Sequence, residues 1–348
     1  MRKLRRVIAS TLVVASVLAL NPIGANAEWK KDNNGWWYVE GDSWATGWKN
    51  ISGKWYYFDS NGYMAKNKNV DGWYLDDNGV GIECVSSDGF QVDKATGTIV
   101  KFSRDIPWGP GRTTGIPLVI PEKIGDIKIK SIGDKAFFNC EYLTSVTIPN
   151  GVTSIGKGAF ERCVSMKNIT IPNGITDIGD NAFASCDNLI NAILPNSVKN
   201  IGLDVFIGCN NLTNVSIPEG ITSINNCTFY ECTNLQSIEI PNSVTSIKQA
   251  AFGNCKNLTS IVIPNGVKSI DNAAFDGCSN LKSITIPDSV ENIEGAVFSG
   301  CDNALFYVKS EKTKQLLVKS RVPVSKIIVR REHDIGTSGF WIFILFFR

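Results

Sequence analysis

Residues 255–277 read CKNLTSIVIPNGVKSIDNAAFDG, and this pattern recurs along more than half of the chain. A phenylalanine stands three residues before each repeated cysteine, an isoleucine eight before it, and a proline nine after the first seven. A unit of 23 residues cannot bury its own apolar positions, so they must pack against the same positions of neighbouring units. The sequence therefore predicts a repeat solenoid. Its eight cysteines mark the units: Cys140, Cys163, Cys186, Cys209, Cys232, Cys255, Cys278 and Cys301.

Each unit contains two extended segments. Residues 281–286 alternate apolar and polar side chains near their end and are rich in β-branched residues, which predicts a strand. Pro287 ends that strand because it has no N–H to continue the ladder. A second extended segment at residues 290–293 and a tight helical turn at the Ala-Phe pair would complete the coil. We therefore expect a β-rich array of about eight units with short helical turns.

The repeated cysteines have more than one interpretation. Neighbouring turns of a parallel stack come close enough for disulfides, but a position that recurs beside Phe and Leu is more simply a small buried thiol. We favour a reduced, buried ladder. A metal site is not favoured, because the chain lacks a Cys-x-x-Cys pair and has one histidine, His333. Cys84 and Cys227 lie outside the repeat and are most simply incidental, although Cys227 could be an exposed thiol.

This repeat resembles the BspA-type leucine-rich repeats of bacterial surface proteins, over about residues 116–308. The resemblance implies a leucine-rich repeat solenoid, which we place at residues 119–308. Residues 90–99, FQVDKATGTI, are similar to the segment that leads into the first repeat in that family. We therefore interpret residues 82–118 as a linker and amino-terminal cap. Asparagine recurs two residues after most of the cysteines, where a structural role in a turn is expected.

The amino terminus has the features of a secretory signal peptide. Basic residues precede an apolar run at residues 7–20, and residues 25–27, Ala-Asn-Ala, offer a cleavage site of small residues. We assign the signal peptide to residues 1–27 and expect a secreted chain. The apolar run is too short for a confident membrane span, so no span is expected in the mature chain.

A second module follows the signal peptide, because seven of the nine tryptophans lie between Trp29 and Trp73. Three Trp-Tyr pairs are spaced 18 residues apart, and Asn-Gly turns follow two of them. Residues 47–62, GWKNISGKWYYFDSNG, resemble a cell-wall-binding repeat of the choline-binding type, which is found on gram-positive surface proteins. We therefore expect aromatic β-hairpin repeats at residues 28–81 and a location at the cell wall of a gram-positive bacterium.

The resemblance to choline-binding repeats implies a ligand site. Aromatic rings from consecutive hairpins can hold a quaternary ammonium by cation–π attraction. The matching residues are Trp48 and Trp55, together with Trp73 or Tyr74. Two alternatives stay open at this point: the rings could only pack the hairpins together, and the ligand could be choline or another wall polymer.

Composition and motifs argue against several classes of function. The balance of 35 basic and 33 acidic residues provides no basic field for nucleic acid. The sequence contains no phosphate-binding glycine loop and no Ser-His-Asp order, so we expect neither an enzyme nor a cofactor. The leading hypothesis is a cell-surface adhesin, and the alternatives are an accessory or remnant of a wall hydrolase and a surface-layer scaffold.

Outward positions of the predicted strand form columns of small polar side chains. They are either a face that binds an unknown protein partner or an ordinary solvated sheet. After the last repeat, residues 307–320 predict a short helix and residues 327–329 a strand, so we assign a carboxyl-terminal cap to residues 309–330. The apolar tail at residues 331–348 is left unassigned. Candidate residues of the protein-binding face are Thr147, Ser216, Glu239 and Thr285.

Overall fold

The computed structural model describes residues 27–71, 73–103 and 115–330. All of the predicted signal peptide except Ala27, and all of the tail at residues 331–348, lie outside the described residues. Contacts divide the chain into two compact units, one of residues up to Val100 with Ile124–Ile127, and one of Lys101–Lys123 with Lys128 onward. In the described ranges, no helix is both long enough and apolar enough to cross a bilayer.

The first unit is built from antiparallel strands. Three tight hairpins follow one another: Ala27–Asp32 with Gly35–Glu40, Gly47–Ile51 with Lys54–Phe58, and Lys68–Val70 with Trp73–Leu75. The predicted aromatic β-hairpin repeats are therefore present. The first unit also contains the strands Ser43–Trp44, Gly81–Ser87 and Phe90–Asp93. Where the chain is divided between the units, the short strands are Thr98–Phe102, Lys123–Ile124 and Ile127–Lys128.

The second unit is a β-solenoid with two parallel strands in most turns, and equivalent residues of successive turns pair, as Ile155 does with Ile178. The predicted solenoid is confirmed. Strands on one side are Ile116–Val119, Leu143–Thr147, Asn168–Thr170, Asn191–Ile193, Asn214–Ser216, Ser260–Val262, Ser283–Ile286, Leu305–Val308 and Ile327–Val329. Strands on the other side are Ser131–Ile132, Ser154–Ile155, Asp177–Ile178, Asn200–Ile201, Ser223–Ile224, Ser246–Ile247, Ser269–Ile270 and Asn292–Ile293.

The segment before each cysteine is not the helical turn that we expected. It consists of hydrogen-bonded turns with two left-handed residues per unit, for example Ala273 at φ 57° and Gly277 at φ 72°. A left-handed residue interrupts the right-handed backbone that a helix requires. In this segment N–H groups at every second residue point along the stack, and the N–H of Phe160 donates to the carbonyl of Ala182 in the next turn at 2.8 Å.

Stacked phenylalanine rings form the centre of the solenoid. Consecutive rings lie 4.9–5.7 Å apart between centroids, with interplanar angles of 5–13°. Phe102 covers one end of the stack at 5.1 Å, and Phe306 meets the other end edge-on at 4.8 Å. Nearly parallel rings at these separations are offset-stacked, a favourable arrangement. The eight rings are those of Phe137, Phe160, Phe183, Phe206, Phe229, Phe252, Phe275 and Phe298.

The repeated cysteines are hydrogen-bond donors. From Cys163 to Cys301, each thiol donates to the phenylalanine carbonyl of the preceding turn at 3.1–3.2 Å. All ten cysteines are free thiols, as the interpretation of a reduced, buried ladder requires. Burial raises the pKa of the Cys209 thiol to about 12, so these thiols stay protonated. Cys227 is half-buried, and burial followed by the Asp204 carboxylate raises its pKa.

One place in the solenoid departs from the regular pattern. At most turns a backbone N–H donates to the isoleucine of the preceding turn, as from Lys248 to Ile224 at 2.8 Å. At Asn225 the side-chain amide makes this bond to Ile201 instead, at 2.6 Å. On the opposite side of the described solenoid, residues 236–240 are not assigned as a strand. Both parallel ladders are therefore interrupted near this repeat.

Side-chain amides form a further ladder, which confirms the structural role expected for the repeated asparagines. In one step the Asn234 amide donates to the Asn211 side-chain oxygen at 2.9 Å. After the last repeat, the helix Glu311–Lys319 begins at Ser310, whose hydroxyl accepts from the N–H of Thr313 at 3.2 Å. A 3₁₀ turn, Val324–Lys326, leads into the last strand. The helix and strand expected at this end both occur.

Candidate functional site: the aromatic cluster

Three tryptophans from two consecutive hairpins converge in the first unit. Trp48 lies opposite Tyr57 across the second hairpin and Asn50 lies opposite Trp55, so these four side chains share one face of the hairpin. Trp73 comes from the third hairpin. Its ring centroid is 5.5 Å from that of Trp48 and 6.5 Å from that of Trp55. The planes are tilted by 52° and 59°, so the rings meet at an angle.

Exposure of the rings bears on what this cluster can do. Trp48 and Trp73 are half-buried, and Trp55 is 41% exposed. Rings that served only to pack the hairpins together would remove most of their surface from water. An indole that stays open beside two partly open indoles is instead available to a cation, which is attracted to the ring faces.

An acidic side chain and a glycine shape this cluster, and neither was expected from the sequence. The Trp48 indole N–H donates to the Asp71 carboxylate at 3.0 Å, which fixes the ring and places a negative charge beside it. A Cβ at Gly81 would lie 2.9 Å from the Trp48 ring and 3.2 Å from the Trp73 ring. A glycine is therefore required for this close approach. The Asp-Gly pair at residues 71–72, a hairpin-turn signal, could have drawn attention to Asp71.

The structure separates the two alternatives for the third ring. Tyr74 follows Trp73 in the strand Trp73–Leu75, so its side chain points to the opposite face. Burial, and then the carboxylates of Asp77 and Asp76, raise the pKa of Tyr74. Trp73 therefore lies with Trp48 and Trp55, whereas the Tyr74 side chain is on the other face because side chains alternate along a strand. Which of these rings bind a ligand stays a prediction.

A second aromatic cluster lies on the first hairpin. Trp29 pairs with Tyr38 as Trp48 pairs with Tyr57. Its ring lies 6.4 Å from Trp36 and 4.9 Å from Tyr56. The Lys31 ammonium lies over the Trp36 ring, 5.3 Å from its centroid. In this cluster a cation of the chain itself already occupies an indole face.

The four residues predicted for the solenoid face occupy one outward column, but the column is not uniformly polar. Thr147, Glu239 and Thr285 are exposed. The Ser216 hydroxyl is engaged with the backbone of Leu194, accepting from its N–H at 3.1 Å and donating to its carbonyl at 3.2 Å. Ser216 therefore stabilises the sheet.

Aliphatic side chains share this column with the predicted polar residues. Ile193 is 50% exposed and Val262 is 69% exposed, both at the repeat position of Thr147. The prediction of columns of small polar side chains is therefore corrected, because outward positions carry no packing constraint that excludes aliphatic residues. Glu239 lies in the segment that is not assigned as a strand. Among the described residues, no group of three or more His, Cys, Asp or Glu is placed to hold a metal ion.

Comparison with solved structures finds bacterial leucine-rich repeat proteins. A T. pallidum leucine-rich repeat protein is 24% identical, with 71% of this chain and 99% of that chain covered and a TM-score of 0.48. One from Bacteroides ovatus is 22% identical, with 70% and 71% covered and a TM-score of 0.43. The pneumococcal vaccine antigen PcpA is 17% identical, with 76% and 100% covered and a TM-score of 0.30. No curated protein matches the chain.

Two family models match the chain. The choline-binding repeat matches residues 45–79, which contain all three indoles of the cluster. The BspA type leucine rich repeat region matches residues 122–222 and 199–316, in six copies. Together these two segments cover more than half of the sequence, and they coincide with the observed solenoid. The chain therefore belongs to the BspA-type leucine-rich repeat family, and it carries a choline-binding-type repeat before its solenoid.

Proposed function

We propose that this protein is a secreted, non-catalytic protein of the gram-positive cell surface, held to a wall polymer by its aromatic hairpins at residues 28–81. The convergence of Trp48, Trp55 and Trp73 supports this proposal most directly. Three partly open indoles provide the ring faces that a quaternary ammonium group binds. Asp71 adds a negative charge next to the Trp48 ring. We therefore propose a polymer that bears choline-type groups as the ligand.

The solenoid provides the second half of the proposed function. Its outward column presents Thr147, Ile193, Val262 and Thr285 on regularly spaced turns. Extended repeat surfaces of this kind commonly bind other proteins, and exposed aliphatic residues add apolar surface that a partner can bury. We propose that this column binds an exogenous protein, so that the hairpins anchor the chain and the solenoid acts in adhesion.

Retention on isolated gram-positive cell walls tests the anchoring role. Trp55→Ala removes the most exposed ring of the cluster, so it should release the protein from the walls without unfolding it. Trp37→Ala is the matched control, because Trp37 contacts Tyr63 at 6.1 Å and has no ring contact with the cluster. Free choline should elute the wild-type protein and the control.

Equal retention of all three proteins would refute the anchoring role of the cluster. If Trp55→Ala is not retained but free choline does not elute the wild-type protein, the cluster still anchors the chain. Its ligand would then be a different polymer. Hydrolysis of the purified walls by the wild-type protein would instead favour the hydrolase alternative.

A further inference from the structure

The last turn of the solenoid carries backbone donors without acceptors. In the preceding turns, N–H groups at alternate residues donate to carbonyls of the following turn, as Phe252 does to Ala274 at 2.8 Å. Within residues 115–330, no equivalent segment follows that of the last turn. The N–H groups of Ala296, Phe298 and Gly300 consequently donate to no group within residues 115–330. The counterparts of Phe298 and Gly300 are bonded in every earlier turn, and those of Ala296 in most of them, as Ala250 is to Asn272 at 3.0 Å.

The N–H groups of this segment share one direction. Each points toward the carboxyl-terminal end of the stack, as in the bond from Gly277 N–H to the Ser299 carbonyl at 2.7 Å. Other segments of the same turns point their N–H groups the opposite way, as in the bond from Lys248 N–H to the Ile224 carbonyl at 2.8 Å. The partial positive charge of the unbonded N–H groups is therefore local to Ala296, Phe298 and Gly300.

The three unbonded N–H groups belong to residues that line a cleft. Ala296, Phe298 and Gly300 all contribute to its lining. The N–H groups of Ser299 and Cys301 between and beyond them are bonded within the turn, to the carbonyls of Ala296 and Phe298. In earlier turns the carbonyls of the next turn meet the equivalent alternate N–H groups, and here the cleft takes their place.

The cleft lies between the last turn and the carboxyl-terminal cap. It has a volume of about 350 Å³, and Phe298 and Phe306 are among the residues that line it. Arg321 and Lys326 contribute two positive charges to its lining, against one negative charge from Asp302. The Lys326 ammonium donates to the Asp302 carbonyl at 3.0 Å. Within the described residues Arg321 is exposed and forms no ion pair.

We propose that this cleft binds an oxyanion of the phosphate or carboxylate class. The backbone N–H groups of the last turn would donate to its oxygens, and Arg321 would pair with its charge. A cleft of about 350 Å³ exceeds the size of a single phosphate group. The ligand therefore has room for a substituent, such as the glycerol of a phosphate ester or the residue that bears a carboxylate. This site is independent of the aromatic cluster and of the outward column.

Titration of inorganic phosphate into the full mature chain, residues 28–348, tests the proposal. Backbone amide resonances are followed by NMR at constant ionic strength. The amides of Ala296, Phe298 and Gly300 should shift in a saturable way. Arg321→Gln should weaken binding by about two- to fivefold, since an exposed ion pair contributes up to about 1 kcal/mol. Arg321→Lys should retain much of the affinity, because it keeps the charge.

Arg330→Gln is the matched control, because Arg330 lies over the Tyr307 ring at 4.1 Å and does not line the cleft. It should leave the titration unchanged. Shifts that do not saturate, that occur in other residues, or that are the same in Arg321→Gln would overturn the proposal. Titrations with glycerol phosphate and with acetate then distinguish a phosphate ester from a carboxylate, and saturable binding of either supports the site.

Discussion

The phenylalanine stack offers a direct test of how the solenoid is stabilised. Phe206 is fully buried, and its ring lies 5.4 Å from that of Phe183 and 5.7 Å from that of Phe229. Phe206→Ala removes the ring from between two others and leaves a cavity that neighbouring turns cannot fill, because their own rings are held in the stack. A buried Phe→Ala substitution costs about 3–5 kcal/mol. We expect about 4 kcal/mol for Phe206→Ala.

Phe138→Ala is the matched control. It makes the same change at a ring that is 42% exposed and lies outside the stack. Its cost should stay below about 1 kcal/mol. Urea unfolding measures the loss in free energy of unfolding for both variants. Far-UV circular dichroism is the signal to follow, because tryptophan fluorescence reports mainly on residues 29–73, where seven of nine tryptophans lie. Similar losses in the two variants, or a loss below about 1 kcal/mol in Phe206→Ala, would refute the stabilising contribution assigned to the stack.

Three further predictions follow from single contacts. Asp71→Asn keeps an acceptor for the Trp48 indole but removes the charge, so choline affinity should fall by about two- to fivefold in a fluorescence titration; an unchanged affinity would contradict this. Burial raises the pKa of Cys84 to about 11. Its alkylation, measured by mass spectrometry, should therefore be slow at pH 8 and accelerate toward pH 11. Rapid labelling at pH 8 would contradict the raised pKa. Gly202→Ala should lower the free energy of unfolding in urea by about 1–3 kcal/mol, because its Cβ would overlap the backbone of the preceding turn. Asp271→Ala, at the same repeat position, is the control and should change the free energy of unfolding by less than about 0.5 kcal/mol.

The repeat period was sufficient to predict the solenoid, because apolar residues at a fixed spacing leave stacking as the way to bury them. It did not predict the backbone of the turns. Lys135, Asn181 and Ala250 all adopt left-handed conformations at one repeat position, and no single residue type marks it. The donor role of the cysteines was also hidden, since it depends on the distance from each thiol to a carbonyl one turn away.

The candidate site was predictable in part. The resemblance supplied Trp48, Trp55 and Trp73, which the structure brings together. Placing Tyr74 on the other face required the strand register, because a shift of one residue moves a side chain to the opposite face of the strand. Asp71 acts through a contact between two hairpins that are separate in sequence. Such contacts are set by how the hairpins pack, which local patterns do not encode.

We propose that the indole cluster of the first unit binds a quaternary ammonium group. Calorimetric titration of choline into residues 28–348 tests it most directly, with Trp55→Ala and Trp73→Ala compared against Trp37→Ala. We expect saturable binding by the wild-type protein and by Trp37→Ala, with loss of binding in the other two variants. Absence of binding to the wild-type protein, or equal binding by all four proteins, would contradict it and leave the rings a purely structural role.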